Sequence, residues 1–263
     1  MSLRLVASDL DGTLLRGDLT VSPRTVAALD RAADAGIRFV MVTGRPVRWL
    51  PAVFEHTRVR GPVVCANGAV IYDPDRDEII RGAPLATDVL AEVVAALRRE
   101  LPDVTFAVEV DHSRAMLSEA AWPVIHDTVA RRIVDHAELS GAPAAKLLAR
   151  LPEGDPDEFL AACTRLLDGT VQVTSSSRRA LVEISAAGVT KASGLAWLAE
   201  QAEVPPEQVV AYGDMPNDIP MFAWVGCGVA VANAHPTVLE MADEVTVSND
   251  EDGVAVHLET LLN

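Results

Sequence analysis

Short apolar runs of four or five residues alternate with helical patterns at both ends of this chain, and most of them stop at a small or polar residue. Strands that alternate with helices restrict a chain to a mostly parallel sheet covered by helices on both faces. Residues 3–7 read as the first strand, Ser22-Pro23 as an N-cap followed by proline at the first helical position, and Gly36 as the end of that helix. Residues 38–42 form a second strand, about 46–56 a helix, and 62–65 a third strand. The alternation returns at the N-cap Thr190, with a helix to about residue 202, a strand at 208–212, a short helix at 218–222, a small-residue strand at 228–231, a helix after Pro236 and a last helix at about 253–262. The expected fold is α/β, a doubly wound parallel sheet built from both ends of the chain.

The pattern changes in between. Val70-Ile71-Tyr72 and Glu78-Ile79-Ile80 read as a hairpin; its turn starts like a calcium loop, but Glu78 and Pro84 stand where such a loop needs glycine and glutamate. Residues 83–186 mix helices with short alternating strands at 105–110, 146–149 and 181–184. The expected organisation is a discontinuous core of residues 1–82 and 187–263 with an inserted α+β module at 83–186, consistent with a chain of 263 residues.

The charge limits the partners. With 38 acidic and 22 basic residues the formal charge is -16, so the chain's field repels nucleic acid and anionic membranes. A small anionic substrate needs a local attractor strong enough to reverse that field. No apolar run is long enough to span a bilayer, and the N-terminus enters a strand at once, so a cytoplasmic protein is expected. Cys65, Cys163 and Cys227 are widely spaced and read as reduced, buried thiols. Oligomeric state is not legible.

Ligands of open α/β sheets bind beyond the carboxyl ends of the strands. There this chain places Asp9 and Asp11 after the first strand, Thr43 after the second, Asn67-Gly68 after the third, and Asp214, Asn217 and Asp218 after the strand at 208–212, with Lys191 at a helix start. Four carboxylates in one crevice cannot all remain ionised without a cation, and hard oxygen donors suit Mg2+. Mg2+ with Lys191 would then attract a phosphate, and Thr43 with neighbouring backbone N–H groups would hold its oxygens.

Asp9-Leu10-Asp11-Gly12-Thr13, Thr43-Gly44-Arg45, Lys191 and Gly213-Asp214-Met215-Pro216-Asn217-Asp218 resemble, in order, the four motifs of the haloacid dehalogenase superfamily. Cys65-Ala66-Asn67-Gly68-Ala69, Glu183-Ile184, Ala232-Asn233-Ala234 and the run from Ser248 to Ala255 resemble its Cof-type branch, which carries a large cap. The resemblance implies a Rossmann-like core and a magnesium-dependent phosphatase. In it Asp9 is the nucleophile, Asp11 the proton shuttle, and Thr43 and Lys191 complete the catalytic set. Leu10, Gly12, Gly44, Arg45, Asn67 and Asn217 would contact the phosphate or substrate. Magnesium would be held by Asp9, the backbone carbonyl of Asp11 and Asp214, with Asp218 as a further or outer ligand. The substrate would be a sugar phosphate, nucleotide or phosphorylated cofactor. A sugar phosphomutase shares this chemistry, and a non-catalytic binding protein would show a lost nucleophile, acid or lysine; all three are present here.

An isolated Asp-x-Asp-Gly is usually a solvated turn, and a threonine after a strand is commonly an N-cap; three further motifs at strand ends shift the balance. Lys191 and Lys146 are the only two lysines against 20 arginines. A compact ammonium suits a crowded site between carboxylate and phosphate, whereas Lys146 is expected to be a solvated charge. The polar stretches 109–114 and 175–179 are expected to be turns, and the four tryptophans packing residues, with Trp122 also placed to line a substrate cleft.

Overall fold

A computed structural model describes residues 3–55, 57, 61–123 and 131–263. The first strand, Leu5–Ser8, is buried along its whole length, as a strand covered on both faces must be. It lies within five parallel strands in the order Glu244–Thr246, Cys227–Val231, Val209–Gly213, Leu5–Ser8, Arg38–Met41. Side chains alternate between the faces. Val6, Val210 and Tyr212 pack with helices Pro23–Asp34 and Gly253–Leu261. Leu5, Ala7 and Ala211 pack with helices Lys191–Gln201, Ile219–Trp224 and Pro236–Met241. The expected doubly wound sheet is present, and its strand order reverses between Leu5–Ser8 and Val209–Gly213, which opens the binding crevice there.

Two elements differ from expectation. The third strand, Val63–Cys65, runs parallel to the end of the second at the Val42–Val64 bridge, where Thr43 N–H donates to Val64 O at 2.8 Å, and also starts an antiparallel sheet with Val70–Asp73 and Glu78–Gly82. The expected helix at 46–56 is a 3-10 turn, Val47–Trp49, and one helical turn, Pro51–Phe54, because Pro46 and Pro51 can only begin such elements; His56 lies outside the described residues.

The chain reverses after Cys65 through Ala66–Gly68, where Ala66, Asn67 and Gly68 all have positive φ (48°, 56° and 98°). This turn is pressed onto the start of helix Lys191–Gln201, which Thr190 and Ser193 close with a reciprocal capping box. A Cβ on Gly68 would stand 2.0 Å from the carbonyl oxygen of Thr190.

A second sheet takes strands from residues 105–186, in the order Val171–Thr174, Leu181–Ala186, Lys146–Arg150, Thr105–Val110, Ala115–Ser118, Arg131–Ile133. Helices Thr87–Glu100 and Pro156–Leu166 cover one face, against Phe106, Val108, Leu147, Ala149, Val182 and Ile184. By alternation Ala107, Glu109, Lys146, Leu148 and Glu183 occupy the other face, where Trp122 packs with Ala107, Met116 and Leu148. Among the described residues no helix is long and apolar enough to cross a membrane.

The Gly68→Ala protein should be destabilised by at least about 2 kcal/mol in urea unfolding, with an unchanged m-value, because backbone must move and a left-handed φ is strained. A loss within experimental error would contradict this close approach of turn and helix.

Candidate active site

Lys191 begins its helix entirely buried, with its Nζ 2.9 Å from Asp9 Oδ1 and 2.7 Å from Asp218 Oδ1. Asp218 Oδ2 accepts from the backbone N–H groups of Asp214 and Met215, each at 3.0 Å. Both Asp218 oxygens are therefore committed, and this carboxylate holds the lysine and the 213–218 loop together. Asp214 Oδ1 accepts from the Thr13 hydroxyl at 2.9 Å. A Cβ on Gly12 would lie 2.4 Å from Asp214 Oδ2, so these two loops meet only because residue 12 has no side chain.

The turn after the first strand is tied down mainly through its carbonyls. Asp9 O accepts from Leu14 N and the Ser8 hydroxyl, Leu10 O from Thr13 N and Leu15 N, and Gly12 O from Asn233 Nδ2. The Asp11 carbonyl accepts no hydrogen bond from the described residues. Asp9 Oδ2 and Asp214 Oδ2 likewise have no hydrogen-bond partner among them. Asp9, Asp214 and Asp218, all buried, offer oxygens within 4.8 Å of one another. Such an all-oxygen donor set, with three oxygens left over, fits a hard divalent cation.

The Asp11 carboxylate is half-exposed and lies apart from this group. Arg45 grips it with two parallel bonds, Nε to Oδ2 at 2.7 Å and Nη2 to Oδ1 at 2.5 Å. Arg45 was expected on a phosphate; here its fork is turned onto Asp11, the nearest carboxylate that matches its geometry. Thr43 is fully buried, and its Oγ1 accepts from the Arg45 backbone N–H at 3.0 Å. Asn67 is likewise a candidate contact for phosphate or substrate. Its Nδ2 donates to Glu183 Oε2 at 2.8 Å and its Oδ1 accepts from Asn217 Nδ2 at 3.0 Å.

A family model for haloacid dehalogenase-like hydrolases matches residues 6–258. The chain belongs to this family. It is a haloacid dehalogenase-type phosphatase of the Cof-type branch. It is 31% identical to the 5-amino-6-(5-phospho-D-ribitylamino)uracil phosphatase YitU of Bacillus subtilis, over 95% of this chain and 94% of that one. It is 26% identical to the pyridoxal phosphate phosphatase YbhA of Escherichia coli, over 97% of each. The solved structure of a haloacid dehalogenase-like hydrolase from B. subtilis superposes with a TM-score of 0.83 at 26% identity, covering 98% of this chain and 100% of that one.

Lys146, expected in solvent, is 2% exposed in this haloacid dehalogenase-type fold. It forms an ion pair with Glu183 and donates to the Gly44 carbonyl at 2.6 Å. Its signal was the one that singled out Lys191, a lysine in a chain that otherwise uses arginine. Glu109, which falls both in the expected strand 105–110 and at the head of the expected turn 109–114, is a buried strand residue bound by Arg48, which also donates to Ser113 O. Of the stretch 175–179, Ser175 donates to Leu181 O at 3.2 Å, and Arg178 donates to Asn233 O at 2.8 Å.

Burial pushes the Asp214 carboxyl up to about 7, with Asp218 adding to the rise. Burial also raises Asp9, against the pull of Lys191. For Lys191 burial favours the neutral amine, but Asp218 and Asp9 outweigh it and hold the ammonium above the ordinary lysine range. A carboxyl whose folded pKa exceeds its unfolded one contributes stability at low pH that disappears as pH rises through the folded value. In chelator, Asp9 and Asp214 should therefore lower the thermal midpoint between about pH 4 and pH 8. Mg2+, which binds ionised carboxylates, should raise the midpoint more at pH 8 than at pH 5. Scanning fluorimetry measures both, and an equal Mg2+ effect at the two pH values would contradict this electrostatic account.

Proposed function

We propose that this phosphatase removes phosphate from a small phosphorylated metabolite by passing the phosphoryl group through Asp9. The observation that carries the reading is the state of Asp9: Oδ1 is held by the Lys191 ammonium, and the carboxylates of Asp9, Asp214 and Asp218 offer oxygens within 4.8 Å of one another. Asp9, Asp214 and the Asp11 carbonyl would hold Mg2+, with Asp218 fixing the loop behind them. When bound, the ion supplies positive charge for the phosphate oxygens and for the carboxylates.

In the first step an Asp9 oxygen attacks phosphorus, the bond from phosphorus to the ester oxygen breaks, and Asp11 donates a proton to the departing alcohol. In the second, Asp11 takes a proton from water, whose oxygen attacks the aspartyl-phosphate and returns Asp9 as a carboxylate with free phosphate. Lys191 neutralises Asp9 throughout. Thr43 and the backbone N–H groups of Leu10 and Gly12 orient the phosphate. The pair between Asp11 and Arg45 must loosen for Asp11 to carry its proton, so Arg45 is free to meet the phosphate only when substrate is seated.

The core comprises residues 1–82 and 187–263 and the cap residues 83–186, whose helix-free sheet face meets the core loops through Lys146 and Glu109 and would bound the space for the alcohol portion. Relatives named for a ribitylaminouracil phosphate and for pyridoxal phosphate support a phosphorylated cofactor, cofactor precursor, sugar phosphate or nucleotide as substrate. A phosphate-release screen over these classes should find Mg2+-dependent turnover. Asp9→Asn and Asp11→Asn should each lower kcat/KM by at least about a thousandfold. Turnover that survives either substitution, or excess chelator, would overturn the mechanism.

A further inference from the structure

A buried polar chain crosses from the second sheet into the loops of the proposed site. Lys146 and Glu183, on neighbouring strands of the sheet, are 2% and 4% exposed. The Lys146 ammonium binds Glu183 Oε1 and donates to Gly44 O at 2.6 Å, in the loop that carries Thr43 and Arg45. Glu183 Oε2 accepts from Asn67 Nδ2 at 2.8 Å, and Asn67 Oδ1 accepts from Asn217 Nδ2 at 3.0 Å, in the loop that carries Asp214 and Asp218. Three strand-end loops are thus joined to one ion pair in the insertion.

The chain has a polarity that the charge imposes. An ionised carboxylate only accepts, so it turns the Asn67 amide nitrogen toward itself and the Asn67 oxygen toward Asn217. That choice leaves Asn217 Oδ1 buried with no hydrogen-bond partner. Reversing both amides would put the Asn67 oxygen against the Glu183 carboxylate. Lys146, Asn67 and Ser176 in turn outweigh the effect of burial and hold Glu183 below the usual glutamate range, in its accepting form.

Stability alone does not call for this arrangement, because a buried ion pair is commonly no more stabilising than apolar residues of similar volume. Its bonds, by contrast, converge on the loops of the site. We propose that Lys146 and Glu183 are positioning residues for phosphoryl transfer, fixing the Thr43–Arg45 loop through Gly44 O and orienting the Asn67 and Asn217 amides. The proposal rests on the phosphatase reading and adds to it a dependence of the core site on two residues of the insertion.

The test compares Lys146→Met, Glu183→Gln and the double variant Lys146→Met/Glu183→Leu in the full chain. Urea unfolding, Mg2+-dependent turnover of the best substrate in the screen, and calorimetric binding of inorganic phosphate with Mg2+ are measured on each. Both single variants should be destabilised, since each leaves a buried partner charge unmatched, and the double variant should recover much of that stability. Its kcat should nevertheless remain at least about thirtyfold below wild type and its phosphate affinity at least about tenfold weaker, the size of effect that a displaced site support produces. A double variant that regains kcat and phosphate affinity together with stability would show the pair to be packing only and overturn the proposal. Wild-type protein that binds phosphate without turning over any ester would instead overturn the phosphatase reading, with the binding comparison still deciding the role of the pair.

Discussion

The buried ammonium of Lys191, held between Asp9 and Asp218, is the interaction on which the rest of the site depends. Without it, Asp9, Asp214 and Asp218 would share a water-poor crevice as like charges, and at least one would have to take up a proton. Removing one member of a buried ionic group costs about 3–5 kcal/mol because the others are left unmatched. The lysine also joins parts of the chain far apart in sequence: the first strand, the helix that follows the insertion, and the loop after Val209–Gly213.

The fold places those parts by ordinary means. Parallel strands whose order reverses at Leu5–Ser8 and Val209–Gly213 bring Asp9 and Asp214 to one crevice. Gly12 lets their loops touch, and the turn at Asn67 and Gly68 seats itself on the helix that carries Lys191. A chain of formal charge -16 could then receive an anion at one place, where the buried ammonium and, in the proposed reading, a cation on the acidic cluster would locally reverse the field. Asp11 stands outside that cluster, and its half-exposure suits a group that exchanges protons with the substrate oxygen and with water once its pair with Arg45 has loosened.

Legibility in the sequence followed the range of the forces involved. The parallel strands, their helices and the residues at their ends could be read because hydrophobic periodicity, capping residues and strand-end position are local signals. The third strand lies where it was expected, but its antiparallel pairing with Val70–Asp73 was not read, because it follows from the left-handed turn at Ala66 and Asn67, which apolar patterning does not record. The helix at 46–56 broke at prolines whose effect depends on where a helix starts. Lys146 was the larger miss. A lone lysine in a strand is indistinguishable from a solvent-facing one until its partners, Glu183 from the next strand and the Gly44 carbonyl from more than a hundred residues upstream, are brought to it by tertiary folding. The rarity of lysine in this chain was the available clue, and it applied to both lysines equally. Arg45 and Asn67 lie at the expected places, but their bonding is set by the nearest carboxylates, Asp11 and Glu183.

The central claim is that Asp9 takes the phosphoryl group and Asp11 releases it. Acid-quenching the Asp11→Asn protein with a phosphate ester and Mg2+, followed by peptide mass spectrometry, tests this most directly. The account predicts a hydroxylamine-sensitive phosphate on the peptide containing Asp9, formed only with Mg2+ and absent from Asp9→Asn. Phosphate on another residue, or turnover by wild-type protein with no phosphorylated Asp9 under any quench, would contradict it.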